Sequence, residues 1–192
     1  MQNPRKSRYK INELFINRWS PRAMSGAEIS DEELMTLFEA ARWAPSSFNG
    51  QPWRFLYAKR DTPSWKIFFD LLVPFNQAWT KNAAVLILVI TRTTFEWNNK
   101  PERTHSFDAG AACENLALQG FLDGLVVHGM EGFDYDRAKE DLDIPEDYHV
   151  EAMFAVGKPG AVKNLSPELQ ERELPSDRKN IEEFAFEGKF PS

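Results

Sequence analysis

Residues 84–91 read AVLILVIT, an apolar run with no polar residue alternating through it. A strand with one wet face alternates, so this run specifies a strand covered on both sides. The longest apolar run, 83–90, is too short to span a bilayer. The remaining chain is expected to supply the layers above and below that strand.

Helical spacing recurs on both sides of the run. Residues 11–17 read as a short amphipathic helix, and Ser30 with Glu33 forms a capping box ahead of Leu34, Leu37, Phe38 and Ala41 on one face. Thr62-Pro63 starts a helix striped with Trp65, Phe68, Phe69 and Leu72; Pro74 should stop it and leave Phe75, Asn76 and Gln77 in a loop. Residues 94–103 are polar and read as a loop. From about Phe107 to Asp123 a long helix carries Ala109, Cys113, Leu116, Ala117 and Gly120 on one face and Ala111, Leu118 and Leu122 on another. Apolar on most sides, it should be buried against a second subunit or inside the core. Gly124 ends it. Residues 53–58, 125–127 and 152–157 read as strands, His128 to Asp134 as a turn with Asp134 capping a helix through Leu142, and Ser166-Pro167-Glu168 as a helix start. Strands interleaved with helices give an α+β or α/β class, and no repeat or linker divides residues 1–192, so one domain is expected.

The formal charge of −6 argues against general nucleic-acid binding, and Arg5, Lys6, Arg8 and Lys10 read as a solvated tail. A single cysteine, Cys113, excludes an intrachain disulfide framework and fits a reducing, cytoplasmic setting. His105, His128 and His149 lack metal-ligand spacing, so no metal is expected. No nucleophile elbow, phosphate-binding loop or dinucleotide fingerprint occurs. No catalytic side chain is nominated, and an enzyme of this sequence would draw its reactive atom from a cofactor.

Four stretches remain unexplained by core building. Ala44 to Arg54, APSSFNGQPWR, is a stiff connector in which Pro45 and Pro52 bracket Ser46, Ser47, Asn49 and Gln51; it reads equally as a capped helix-to-strand turn or as a ligand cradle. In Arg18-Trp19-Ser20-Pro21-Arg22, two guanidinium groups flank a hydroxyl, as solvated surface or as a phosphate clamp. Met130-Glu131-Gly132 lies in a glycine-rich turn that lets backbone approach a ligand, and Arg178-Lys179 puts two cations near the end.

Taken in chain order, the four stretches resemble the nitroreductase family of FMN-dependent oxidoreductases. The likeness runs from Arg18 to about Phe184, and residues 110–125 look like that family's long dimer-core helix. The resemblance implies an α+β fold, a central mixed sheet flanked by helices in an intertwined homodimer, with FMN at the subunit interface. It implies that Arg18, Trp19, Ser20 and Arg22 bind the phosphate and flavin edge, with Arg178 and Lys179 completing that site. Pro45, Ser46, Ser47, Asn49 and Gln51 would reach the flavin from the partner subunit. Asn76, Met130, Glu131 and Gly132 would lie at the flavin ring, the Gly132 amide directed at N5. The implied activity is ping-pong hydride transfer from NADH or NADPH to a small electron-poor acceptor such as a nitroaromatic or quinone. Rival readings are a flavin-binding storage or sensing protein without turnover, a plain interaction domain, and a specialised reductase on the same fold. Trp19 departs from the His or Arg common in the family, and Trp79 stands where a basic residue often follows the flavin asparagine.

Overall fold

The computed structural model describes residues 4–191. Its centre is the apolar run. Strand β2 (Val85–Arg92) lies between β1 (Trp53–Lys59) and β4 (Tyr148–Gly157), and β3 (Val126–Met130) flanks β4, giving the order β1-β2-β4-β3. Every pairing is antiparallel, with Trp53 opposite Thr91, Val85 opposite Val156 and Val126 opposite Gly157. The class is α+β, but the strands of this chain do not form the mixed sheet that the resemblance implied.

Side chains of β2 alternate between two cores. Leu86, Leu88 and Ile90 join Ala58, Met153, Phe68, Leu71 and Trp79 on one face. Val85, Ile87 and Val89 meet Leu34, Leu37, Ala41, Ala109, Ala112 and Leu116 on the other. All six β2 side chains are buried, which is why no polar residue interrupts the run.

Helix α1 covers only Leu14–Asn17, shorter than the amphipathic pattern suggested. Helix α2 (Asp31–Arg42) opens with the expected capping box: Ser30 Oγ accepts from Glu33 N, and Glu33 accepts from Ser30 N. Helix α3 (Trp65–Leu71) ends at Leu72 before Pro74, which begins α4 (Pro74–Thr80). Phe75, Asn76 and Gln77 are therefore helical, not in a loop. Proline suits a first helical position, because the amide it lacks would have no intrahelical acceptor. Strand β3 also absorbs His128 to Met130, which the glycine-rich sequence had suggested were part of a turn.

Helix α5 (His105–Leu122) lies on α2 and the sheet. Its small-residue face packs internally: Ala109, Leu116, Ala117 and Gly120 are buried within this chain. Phe107 and Leu122 stand 78% and 63% exposed on the opposite side. A register shift between Val89 and Ile90 leaves Glu151 without a cross-strand partner. Its carboxylate instead accepts from Thr91 Oγ1 at 2.5 Å and Ser106 Oγ at 2.6 Å, tying the sheet to the start of α5. Asp134 caps α6 (Tyr135–Asp141) by accepting from Arg137 N, and α7 (Pro167–Glu171) carries the chain toward its arginine-rich end.

Candidate functional site

A cavity of about 390 Å³ is lined by Arg5, Arg18, Arg22, Arg172 and Arg178, together with Trp19, Ser20, His128, Gly129, Leu174 and Ser176. Five of its residues, Arg18, Trp19, Ser20, Arg22 and Arg178, come from the two basic stretches, which lie far apart in sequence. The guanidinium groups are held largely by neutral acceptors. Arg5 donates to Ser176 O at 2.7 Å, Ile16 O at 3.2 Å and Arg18 O at 2.7 Å. Arg178 donates to Ser176 Oγ at 3.0 Å and to the Asp177 carbonyl at 3.0 Å. Arg18 reaches Ser20 Oγ at 3.4 Å and Glu114 Oε1 on α5 at 3.5 Å.

Carbonyl and hydroxyl acceptors leave the charge in place, so the wall stays cationic. Burial lowers the Arg5 pKa, and the nearby charges of Arg178 and Arg18 lower it further. Burial also lowers that of Arg22; Glu173 counters the shift and Arg172 adds to it. Arg22 Nε is buried without a hydrogen-bond partner among the described residues. A cluster of this kind is relieved by an anion with several acceptor oxygens, and a phosphate matches guanidinium geometry.

The backbone around Arg22 is rigid. Ser25 N donates to Lys158 O, and Gly160 N donates to Ala23 O, clamping residues 23–25 to the end of β4. His128 Nδ1 lies 2.9 Å from Pro21 O and so carries the proton it donates. Burial pushes its pKa down to about 4, keeping the ring neutral beneath the arginine-bearing loop. It also packs against Trp79, with ring centroids 4.6 Å apart.

Beyond Gly129, β3 leads to a second group. Asn76 Nδ2 donates to Gly132 O at 2.9 Å, and Asn76 Oδ1 accepts from Trp79 Nε1 at 3.3 Å. Met130 is buried in the core, whereas Glu131 is exposed and Gly132 partly so. The Gly132 amide donates no hydrogen bond among the described residues.

The connector is a third locale, outside the arginine cavity of its own chain. Pro45 precedes a single 3-10 turn at Ser47–Asn49, where Phe48, Asn49 and Gln51 hold positive φ angles of 50°, 56° and 48°. Ser47 N donates to Asp108 Oδ2 at 2.8 Å, and Gln51 N donates to Ser46 Oγ at 3.1 Å. Asp108 thus braces an otherwise costly conformation from the first turn of α5. A β-carbon at Gly50 would lie 2.6 Å from Glu102 Oε1 and 3.1 Å from Ser47 O, so a larger residue there would displace Glu102.

Lys179 lines a neighbouring cavity between the two terminal segments instead of the arginine cavity. Arg5 corrects the reading of the basic N-terminal stretch as a solvated tail, since it is half-buried and bonded across the chain. Arg5, Arg172, Ser176, Glu173 and His128 were not legible as site residues. Arg172 and Ser176 lie close to Arg178 in sequence, but nothing there marks them as sharing a wall with Arg18.

The model of the Nitroreductase family matches residues 16–64 and 64–158. Protein DrgA of Synechocystis sp. is 30% identical over 173 residues, covering 72% of this chain and 81% of that protein. An oxidoreductase containing FMN, solved by crystallography, superposes with a TM-score of 0.94 at 47% identity, covering 100% of this chain and 98% of the other. A nitroreductase family protein from Streptococcus pneumoniae shares the fold at 21% identity, with a TM-score of 0.71 and coverage of 92% and 98%.

Proposed function

The chain belongs to the nitroreductase family, and from that membership we propose an FMN-dependent NAD(P)H oxidoreductase acting on flat, electron-poor acceptors such as nitroaromatics or quinones. The observation that carries this reading is the five-arginine cavity with the buried Nε of Arg22, which has no hydrogen-bond partner among the described residues. The residues fit FMN. Arg18, Ser20, Arg22 and Arg178 would hold its phosphate, with Arg5 and Arg172 adding charge that the sequence stretches did not reveal. Gly129 lines that cavity, and the Gly132 amide, which donates no hydrogen bond among the described residues, follows three residues later and would face the flavin ring.

When bound, FMN would supply the hydride chemistry between NADH or NADPH and the second substrate, in ping-pong order. The protein does the rest by orientation and charge. Asn76 fixes the Gly132 peptide, whose amide would donate toward the flavin, and the arginines would hold the phosphate end so that both substrates could use one exposed face. No side-chain acid or base is assigned to the hydride step.

The active unit is a homodimer with the flavin between subunits. Trp43, Phe48, Phe107 and Leu122 are exposed at 72%, 84%, 78% and 63%, apolar side chains that a second subunit would cover. The Pro45, Ser46, Ser47, Asn49 and Gln51 connector lies outside its own arginine cavity and would serve the flavin of the partner subunit. Lys179 would act at the edge of the phosphate site from the C-terminal segment.

Purified protein should show flavin absorbance, or acquire it with FMN, and bleach anaerobically with NADH or NADPH. Arg18→Ala and Arg22→Ala should each weaken FMN binding at least tenfold, the scale of one lost charge-assisted contact. Protein that cannot be loaded with FMN, or whose FMN affinity survives both changes, would refute the proposal.

A further inference from the structure

We propose that Glu173 is the positioning residue of the arginine cavity, a buried carboxylate that fastens the C-terminal arginines to the Arg22 backbone. The inference rests on the reading of that cavity as a phosphate site. Arg172 and Leu174 line the cavity, while Glu173 between them turns inward and is 1% exposed. Its Oε1 accepts from both Arg22 N and Ala23 N, each at 2.7 Å, across about 150 residues of chain. Residues 23–25 are pinned to residues 158–160 by the backbone bonds already described, so Glu173 binds a fixed edge. Its other oxygen, Oε2, is buried without a partner among the described residues, as is Arg22 Nε.

Two amides alone do not require a full negative charge, and a buried carboxylate is costly unless something compensates it. The compensation comes from Arg22, whose guanidinium feels the Glu173 charge. Arg178 and Arg18 face Arg5 as like charges, adding to the burial that lowers its pKa. Through the Arg22 and Ala23 amides, the Glu173 carboxylate holds the segment carrying Arg172 and Arg178 against the segment carrying Arg18 and Arg22. Without it, like charges separate and the phosphate meets a splayed set of guanidinium groups.

Charge and position predict opposite signs. Glu173 is an anion beneath an anion site, so removing its charge should tighten phosphate binding if only Coulomb attraction mattered. If Glu173 positions the arginines, removing it loosens binding. The experiment titrates FMN and riboflavin, which lacks the phosphate, into flavin-free protein, following flavin fluorescence. Wild-type protein should bind FMN more tightly than riboflavin; equal affinities would reject the phosphate reading itself, whatever Glu173 does. Glu173→Gln matches the side chain in size but places a donor toward the cations, and it should weaken FMN binding about tenfold with riboflavin affinity unchanged. FMN affinity that stays equal or rises in this variant overturns the inference, as does an equal loss for both flavins. Glu173→Asp keeps the charge but falls a methylene short of the two amides, and it should also weaken FMN selectively. Wild-type behaviour of Glu173→Asp would assign the effect to charge and not to position, which decides the question even if Glu173→Gln does not fold.

Discussion

Asn76 and Gly132 pack so closely that a side chain on residue 132 has no room unless Asn76 moves. Asn76 Nδ2 donates to Gly132 O at 2.9 Å, and a β-carbon on residue 132 would lie 2.7 Å from that same nitrogen. Val73 closes the other side, its Cγ2 standing 3.0 Å from the same β-carbon position. The glycine is needed for room, not for an unusual backbone angle.

Gly132→Ala should therefore push Asn76 out of register with Gly132 O and Trp79. Overpacking of this kind costs about 1–3 kcal/mol. A lowered denaturant midpoint with weakened FMN retention is expected. Unchanged stability and flavin content would show that Asn76 moves aside freely.

His128 makes stability depend on pH. Its folded pKa, pushed down to about 4 by burial, lies below the 6.5 of an ordinary histidine. The unfolded chain thus binds a proton that the folded chain refuses, and folding loses stability as pH falls from 6.5 toward 4. At pH 5 the loss is about 2 kcal/mol relative to pH 7.5. Urea unfolding at the two values should show it, and His128→Gln should reduce the difference. A pH dependence identical in both proteins would place its origin elsewhere.

Gly120 packs α5 onto β3. A β-carbon there would overlap Val127 Cγ2 and lie 3.5 Å from Leu37 Cδ2. Alanine is the better helix former by about 1 kcal/mol, yet overpacking works against it by about 1–3 kcal/mol. Thermal unfolding of Gly120→Ala should show net destabilisation; a raised midpoint would mean that the helix can shift outward without cost.

On its outer side, α5 carries Phe107, Ala111, Leu118 and Leu122 at helical spacing, with Glu114 among them holding Arg18. That stripe is the proposed subunit contact. Phe107→Glu combined with Leu122→Glu should convert dimer to monomer in sedimentation and lower flavin retention, since the connector of the partner would be lost. A flavin-loaded monomer would exclude the shared site.

Much of the fold was readable because local patterns bear on it directly. The unbroken apolar run could only be a strand covered twice, and Ser30 with Glu33 marked the start of α2. Short segments misled where one residue type serves two roles. Pro74 looked like a stop for α3 but begins α4, because proline suits both places. Gly129 looked like turn chemistry but lies in β3, where a β-carbon would press on the Phe154 ring.

By itself the sequence determined the central strand, the helices beside it, and the presence of the RWSPR, connector, GMEGFD and C-terminal basic stretches. Tertiary structure alone decided which of them meet. Arg5 and Arg172 joined the arginine cavity, Lys179 lay beside it, and the connector settled on Asp108 at a different place. The reason is physical. Helix and strand periodicity express contacts between residues a few positions apart, whereas a charge cluster is assembled by chain crossings over a hundred residues or more. Glu173, which bonds the amides of Arg22 and Ala23 from the far end of the chain, carries no mark of that role in its own neighbourhood.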